Sequence, residues 1–495
     1  MVKIEGNDDK MDCSSNAVLK AWQNWNGAID CGYSGVTWHS DELKRIADEY
    51  STQFVNAGLK PGDTVAFVLS NTVAFPTLFI SLLKVGCNLL LLHGSTPYEE
   101  IENYSKTINI NWLCHDYIEN ISRLKDHNFA KHSELAIKNI NIIISKTDFS
   151  VREMQDYRGV AFHPTSGTFG KPSVCVRDQK VAVAEAVNYT SSISCYKNSR
   201  IVVTTPLNHA FAFGFGFMST LISDSTIVID SVFNPKALLR REQKEPSDIL
   251  TVVPPMLLSL LHFKKTDSRY VLPKIVFYAG IRCDSKLKEE FESEYGVNLY
   301  AIYGTTETGA ISANYDEKGA DFSAGSTLNN VEIKIVNKEK YKDIGENIGE
   351  IMIRSSSMMN KYFTDESHRN FDTFYPTGDI GTSDERNRIF LLGRIKDIVN
   401  VDGMKVDPSE VENILLSYKA IKDAVVYPGL SSNNSEMLVA AICGDVKKQD
   451  LEDIKNYCYS KLLKYKVPSV FYILEALPRT PSGKCLKTQL PNYFS

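Results

Sequence analysis

Several things are missing from these 495 residues, and each absence removes a class of function. The ten cysteines are scattered, with no Cys-x-x-Cys pair and no Cys/His grouping at zinc-ligand spacing. That argues for separate, reduced thiols in a cytoplasmic protein rather than a disulfide framework or a zinc module. There is no basic tract and no acidic tail; net charge is −5 with both signs intermixed, so nothing marks a nucleic-acid surface. The first ten residues are polar and lack the apolar core of a secretory leader. Uncharged apolar runs are short as well. The stretch 201–223 holds no Asp, Glu, Lys or Arg, but Thr204, Thr205, Pro206, Asn208 and His209 interrupt its start. A membrane-spanning helix needs about 20 predominantly apolar residues, so the expectation is a buried strand over 201–205, a loop and a buried helix. A Walker A loop is also missing: the one Gly/Lys loop has two residues between Gly167 and Gly170, and Pro172 after Lys171.

What is present is an alternation of strand and helix signals. With 43% hydrophobic residues, the chain is too long for one ordinary core and implies two or more domains. Helices are expected over 40–59, 74–84, 97–106, 179–192 and 286–295. Strands are expected over 64–69, 88–92, 112–114, 159–162, 225–230, 249–253, 274–278 and 298–303. Such alternation argues for parallel sheets. The segment 119–154 carries only one apolar run, 140–144, and no clear assignment. Runs 331–336 and 349–354 read as a smaller antiparallel piece. The last hundred residues read as a separate α+β unit, with helices over 408–418 and 449–463 and strands over 424–427 and 438–442.

The densest local feature is Thr165-Ser166-Gly167-Thr168-Phe169-Gly170-Lys171-Pro172, shortly after the run 159–162. Glycines let a backbone turn tightly. Hydroxyls, N–H groups and Lys171 together make a cradle for phosphate oxygens. Taken alone, such a loop equally fits a flexible surface turn. Downstream, in order, come Pro206-Leu207-Asn208-His209, Ala279-Gly280-Ile281, Tyr303-Gly304-Thr305-Thr306-Glu307, Thr377-Gly378-Asp379, Gly393-Arg394-Ile395-Lys396-Asp397, Val401-Asp402-Gly403-Met404 and Pro481-Ser482-Gly483-Lys484.

This ordered set resembles the acyl-adenylate-forming superfamily of acyl-CoA and aryl-CoA synthetases, stand-alone adenylation enzymes and luciferase, over nearly the whole chain. The resemblance implies an α/β fold: a large N-terminal domain of layered, mostly parallel sheets and helices over 1–393, a hinge at 394–397 around Lys396, and a small mobile α+β domain over 398–495. It implies that Thr165, Ser166, Gly167, Thr168, Gly170 and Lys171 close over ATP phosphates. Gly280 and Tyr303 would flank the adenine, with Gly304 and Thr305 in the same turn. Thr306 would contact the α-phosphate, Glu307 would hold Mg²⁺, and Asp379 and Arg394 would bind the ribose. His209, Phe213, Ile281 and Ala301 would border the acid pocket, although Phe213, in the alternating run 211–217, also fits plain core packing. Gly403 would line a thiol tunnel, and Lys484 would be the adenylation lysine. One departure stands out: Ser173-Val174 follows Pro172 where the family usually has Lys-Gly.

The implied reaction is ATP-dependent activation of a small-molecule carboxylic acid to an acyl-adenylate, then transfer to the thiol of coenzyme A. The alternative acceptor is the phosphopantetheine of a separate acyl carrier protein, and a degenerate, non-catalytic nucleotide-binding relative is a third reading. Amino-acid-activating members carry an Asp just after the position of His209; here it is Ala210. The expected acid is therefore aryl or medium-length acyl, without an α-amino group.

Overall fold

Thr64–Leu69 is buried along its whole length, the mark of a strand covered on both faces. It pairs in parallel with Asn88–His93 on one side and Trp112–His115 on the other, and Ala161–Thr165 extends the parallel run beyond Asn88–His93. The edges of this eight-stranded sheet are antiparallel. Ser173–Arg177 and Lys361–Tyr362 close one side; the hairpin of Lys131–Ile137 and Ile140–Lys146 closes the other. That hairpin falls within the stretch 119–154, where the sequence offers no clear assignment. The computed structural model describes residues 16–32, 34–116, 131–137, 140–149, 157–165, 173–280, 283, 285–315, 323–336, 338–341, 347–364, 370–401, 404–430, 436–479 and 485–491.

A second sheet has thirteen strands. One half is parallel: Ala28–Cys31, Thr226–Ile229, Arg200–Val203, Ile249–Val252, Ile275–Tyr278 and Asn298–Thr305 lie side by side. The sheet then changes character, running antiparallel through Gly309–Ala313, Gly325–Thr327, Arg388–Arg394, Tyr375–Ser383, Gly349–Ser355 and Val331–Val336. Alternation along each strand sets the layers. Val65, Phe67 and Leu69 of the first sheet share a core with Ile201, Val203, Ile227 and Ile229 of the second. Helices Ala74–Val85 and Gln179–Ser192 lie between them, contributing Phe75, Phe79, Ala186 and Tyr189. The opposite face of the second sheet, with Val202, Val228 and Leu250, is covered by Leu238, Leu257 and Phe291 of Pro235–Lys244, Pro254–Thr266 and Ser285–Tyr295. The opposite face of the first, with Ala66, Val68 and Leu90, packs on Ile101 and Tyr104 of Tyr98–Ser105. The order is thus helix, sheet, helix, sheet, helix, a layered α/β architecture.

The uncharged stretch 201–223 is a strand, a loop and a buried helical segment, as its composition implies, but the helical part begins as a π-helix, Ala212–Met218, before continuing as Ser219–Ile222. Side-chain hydroxyls explain the widening. Ser219 Oγ donates to the carbonyl of Gly214 at 2.8 Å, Thr220 Oγ1 to that of Gly216 at 2.5 Å, and Tyr196 Oη to that of Phe215 at 3.1 Å. Hydroxyls that back-bond to helix carbonyls compete with the i→i−4 ladder. Among the described residues no helix is long and apolar enough to cross a membrane, and none of the nine described cysteines is joined in a disulfide.

The C-terminal unit has its own core. Pro408–Leu416, with Asp407 capping by accepting from Ser409 N at 2.9 Å, packs Val411 and Leu415 on a sheet of Ile421–Leu430, Glu436–Gly444 and Val470–Ile473. Glu412 on this helix accepts the Val426 N–H at 2.7 Å. Burial pushes its pKa up from 4.5 to about 7; the Val426 N–H and Lys487 oppose the rise, and Asp407 and Asp397 add to it. Because the folded value lies above the unfolded one, this group's contribution to stability is full below about pH 4.5 and is lost as pH rises through about 7. The melting temperature should therefore fall between about pH 4.5 and about pH 7, and Glu412→Gln should flatten that slope. Thermal unfolding across this range checks it; an unchanged slope in the variant assigns the effect to another group.

Candidate active site

The site lies beyond the carboxyl ends of the parallel strands, where α/β sheets commonly place ligands. Its best-defined part joins three motifs that are far apart in sequence. Asp379 and Arg394 are direct cross-strand partners on Tyr375–Ser383 and Arg388–Arg394. Arg394 Nε donates to Asp379 Oδ1 at 2.9 Å, and Tyr303 Oη donates to Asp379 Oδ2 at 2.7 Å. Thr377 Oγ1 steadies the strand, accepting from Asp379 N at 3.0 Å and donating to Ile351 O at 2.8 Å. Asp379 is buried, whereas 43% of the Arg394 side chain is exposed and can turn toward a ligand. Burial raises the Asp379 pKa, and the Arg394 charge and the Tyr303 hydrogen bond oppose that rise. Burial and the charge of Asp379 hold the Tyr303 phenol far above its ordinary value, so it stays a donor. Each carboxylate oxygen accepts two hydrogen bonds, and among the described residues one on each is taken. Asp379 therefore retains capacity for two further donors, as a ribose diol offers.

Tyr303 reaches this position through a β-bulge between Asn298–Thr305 and Gly309–Ala313, with the register shifting at Tyr303/Gly304. Bulges re-aim side chains beside active sites. A Cβ at Gly304 would lie 2.5 Å from the carbonyl oxygen of Gly309, so only glycine fits there. Gly280, following Ile275–Tyr278, has φ +92° and is exposed, leaving bare backbone beside the next strand. In the turn after Asn298–Thr305, the hydroxyls of Thr305 and Thr308 lie 3.1 Å apart. The Thr306 side chain is partly exposed. Glu307 is half-buried; its Oε1 accepts from Tyr362 Oη at 3.0 Å and its backbone carbonyl from Met359 N at 2.7 Å. Burial and the Glu307 charge keep Tyr362 protonated.

No group of three or more His, Cys, Asp or Glu side chains placed to hold a metal occurs among the described residues. A single carboxylate suits Mg²⁺, which binds through one or two carboxylates plus nucleotide phosphates and keeps several waters. Glu307 fits that role, and a closed protein cage does not.

Thr165 ends its strand opposite Ser173, and its Oγ1 donates to Ser173 O at 3.2 Å. The segment expected to form a phosphate loop is thus bracketed by two strands, not by a strand and a helix. Ser166, Gly167, Thr168, Gly170, Lys171, Ile281, Gly403 and Lys484, and the side chain of Lys396, lie outside the described residues.

On the acid side, the segment before His209 is fixed by a residue that sequence reasoning missed. Asn71 donates to Thr205 O at 2.9 Å and accepts from Leu207 N at 2.7 Å. It stands just past the carboxyl end of Thr64–Leu69, a position that could have flagged it. His209 is open to solvent yet crowded by protein, and that crowding, with the nearby charge of His93, lowers its pKa. Phe213 is 1% exposed; its ring packs edge-on against Phe79, Phe217 and His163. These contacts place it in the aromatic core, the plainer of the two roles its sequence run suggests. Ala301 is buried opposite Tyr278. Tyr362, whose hydroxyl lies 3.3 Å from that of Tyr375, was also invisible in the motifs; no local pattern marks it.

The profile of the AMP-binding enzyme family matches residues 21–363, and that of the AMP-binding enzyme C-terminal domain matches residues 410–484. The chain belongs to the AMP-binding enzyme family. It is 25% identical over 493 residues to 4-coumarate–CoA ligase 3 of Arabidopsis thaliana, covering 93% of this chain and 87% of that protein. It is 26% identical over 467 residues to oxalate–CoA ligase of the same plant, covering 89% and 90%. In fold it is similar to ATP-bound MatB from Rhodopseudomonas palustris, with TM-score 0.79 and 18% identity over 96% of this chain and 97% of that one. As a member of this family it is an AMP-forming acid–thiol ligase.

Proposed function

We propose that this AMP-binding enzyme activates an aryl or medium-length acyl carboxylic acid, without an α-amino group, and transfers it to the thiol of coenzyme A. The observation that carries the reading is the Tyr303–Asp379–Arg394 clasp, a ribose-binding arrangement joined by one short turn to the carboxylate of Glu307. The names of the plant relatives, both CoA ligases, favour coenzyme A over a carrier-protein phosphopantetheine as acceptor.

In the first half-reaction the acid's carboxylate oxygen attacks the α-phosphorus of ATP. A P–O bond forms, the bond from the α-phosphorus to the α,β-bridging oxygen breaks, and pyrophosphate leaves with the electron pair. Both reactants are anions, so catalysis is mostly alignment and offset of charge. The clasp fixes the ribose, Tyr303 and the bare backbone at Gly280 flank the adenine, and Thr306 and Lys484 serve the phosphoryl oxygens. Thr165, Ser166, Gly167, Thr168, Gly170 and Lys171 cradle the outer phosphates. Magnesium, when bound at Glu307, supplies positive charge to those oxygens. The chain then turns about 394–397, carrying the small domain to a second pose in which Gly403 lines the thiol path. The thiol sulfur attacks the acyl carbon, and AMP departs.

The acid pocket is bordered by His209, Ile281 and Ala301, with Ala210 where an ammonium partner would be needed. A buried, unpaired ammonium costs several kcal/mol, while each buried CH₂ that fits contributes about 0.8 kcal/mol. In ATP–pyrophosphate exchange, a phenylpropanoate-type acid should outcompete phenylalanine by on the order of 10²-fold or more. Preference for the amino acid in such matched pairs would sink the pocket reading. Thioester detection with coenzyme A and with a carrier protein, on whichever acid is activated, separates the two acceptors.

A further inference from the structure

Next to the nucleotide site lies a buried ion pair that no motif accounts for. Arg177, the last residue of Ser173–Arg177, donates from Nη2 to Glu185 Oε2 at 2.6 Å, with the two side chains 1% and 2% exposed. The same Nη2 donates to the carbonyl of Ser357 at 3.3 Å. Ser357 Oγ donates in turn to the carbonyl of Thr308 at 3.0 Å. Glu185, on Gln179–Ser192, also takes a hydrogen bond from the backbone of Ala310. Two glycines make room for it. A Cβ at Gly309 would sit 3.1 Å from Arg177 Nη2 and from Glu185 Cδ, and one at Gly214 would sit 2.5 Å from Glu185 Cδ. Five segments therefore converge on one ion pair: the return strand of the hairpin, the helix after it, the π-helix, the turn that carries Glu307, and the segment whose Met359 N–H holds the Glu307 carbonyl.

The pair is poorly designed for stability. Among the described residues Arg177 Nε and Nη1 have no partner, and neither ring nitrogen of His163, on the same face of the neighbouring strand, has one. The backbone of Asn208 faces His163 without reaching hydrogen-bond geometry, and burial, with the Arg177 charge, holds the imidazole neutral. A buried ion pair with open donors is commonly no more stable than apolar side chains of the same volume, and its best-attested advantage is to fix one arrangement over another. We propose that Arg177 and Glu185 are positioning residues. They hold the 305–309 turn, and with it the phosphate end of the nucleotide site, in register with the hairpin of Ala161–Thr165 and Ser173–Arg177. This rests on the proposed nucleotide assignment of that turn. It does not involve the adenosine end, because Tyr303 is tied separately to Asp379.

The test compares two ligands by calorimetry, MgATP and adenosine, together with thermal unfolding of each protein. The main variant is the double substitution Arg177→Met/Glu185→Leu, which removes both charges at once; Glu185→Gln, which keeps the volume, is the second. The expected result is a double variant that melts at or above the wild type, binds MgATP on the order of 10- to 100-fold more weakly, as for lost supporting contacts around a site, and binds adenosine as before. Glu185→Gln should weaken MgATP in the same direction. Unchanged MgATP affinity in both variants overturns the proposal. So does equal weakening of both ligands, which would make the pair an ordinary structural contact. A wild-type protein that fails to bind MgATP overturns the nucleotide reading itself, and this proposal with it.

Discussion

Lys484→Ala should lower acyl-adenylate formation by on the order of 10²–10³, the usual effect of removing one preorganised charge or donor from a transition state. Thioester formation from supplied acyl-adenylate should survive. On the proposed mechanism the reason is electrostatic timing: negative charge gathers on the phosphoryl oxygens only in the first half-reaction, and in the proposed second pose this lysine would have left the site. The substitution should not disturb the fold around it, because both ends of 480–484 are anchored independently. Arg479 and Cys485 form a β-bridge, Leu486 N donates to Pro478 O at 2.8 Å, and Arg479 Nη2 donates to both oxygens of Asp423 at 2.7 and 2.8 Å. Pyrophosphate exchange reads the first step and rapid-quench thioester formation the second. Equal losses in both would refute the two-pose assignment.

Asp379→Ala should raise the KM for ATP by about 10²-fold, since hydrogen bonds to a charged group contribute roughly 1.5–3 kcal/mol each and do not add fully. It also strips Arg394 and Tyr303 of their common acceptor. Asp379→Asn, which keeps the shape and an acceptor for Tyr303 but not the charge, should fall between. The KM for the acid should change little in both, because the clasp lies at the nucleoside end. Steady-state kinetics with each substrate varied separately checks this. A loss confined to the acid would remove Asp379 from the ribose site.

Sequence patterns carried much of this. Helices with strong stop signals were legible: Ser40–Ala57 opens with Asp41 and Glu42 and ends at Gly58 with φ 108°, and each is readable in one dimension. Continuous apolar runs such as Thr64–Leu69 announce strands buried on both faces. The hairpin of Lys131–Ile137 and Ile140–Lys146 was only half legible: its inner strand shows the run 140–144, but the edge strand Lys131–Ile137 need not be apolar on both faces and shows none. The π-helix was hidden too, since it arises from hydroxyls of Tyr196, Ser219 and Thr220 meeting carbonyls in three dimensions. At the site, Tyr303, Asp379 and Arg394 were named from motifs, but their direct bonding was not implied by the 15-residue interval between the last two. Tyr362 and Asn71 act through distant partners, so no short window contains both members, while Arg177 and Glu185 lie eight residues apart but on a strand and the helix after it, and meet only when the two pack.

That interval has a consequence for how such chains can change. Asp379 and Arg394 belong to opposite arms of one hairpin, whose turn lies around Asp384–Asn387. Length added or removed at the tip lies outside the ladder and leaves the two side chains facing each other. A single-residue deletion within either arm instead shifts the ladder and carries one partner to the far face. What is inherited is therefore the pairing and not the count: relatives that differ in the spacing of these two motifs can share the same clasp, while one with identical spacing but a slipped strand would lose it.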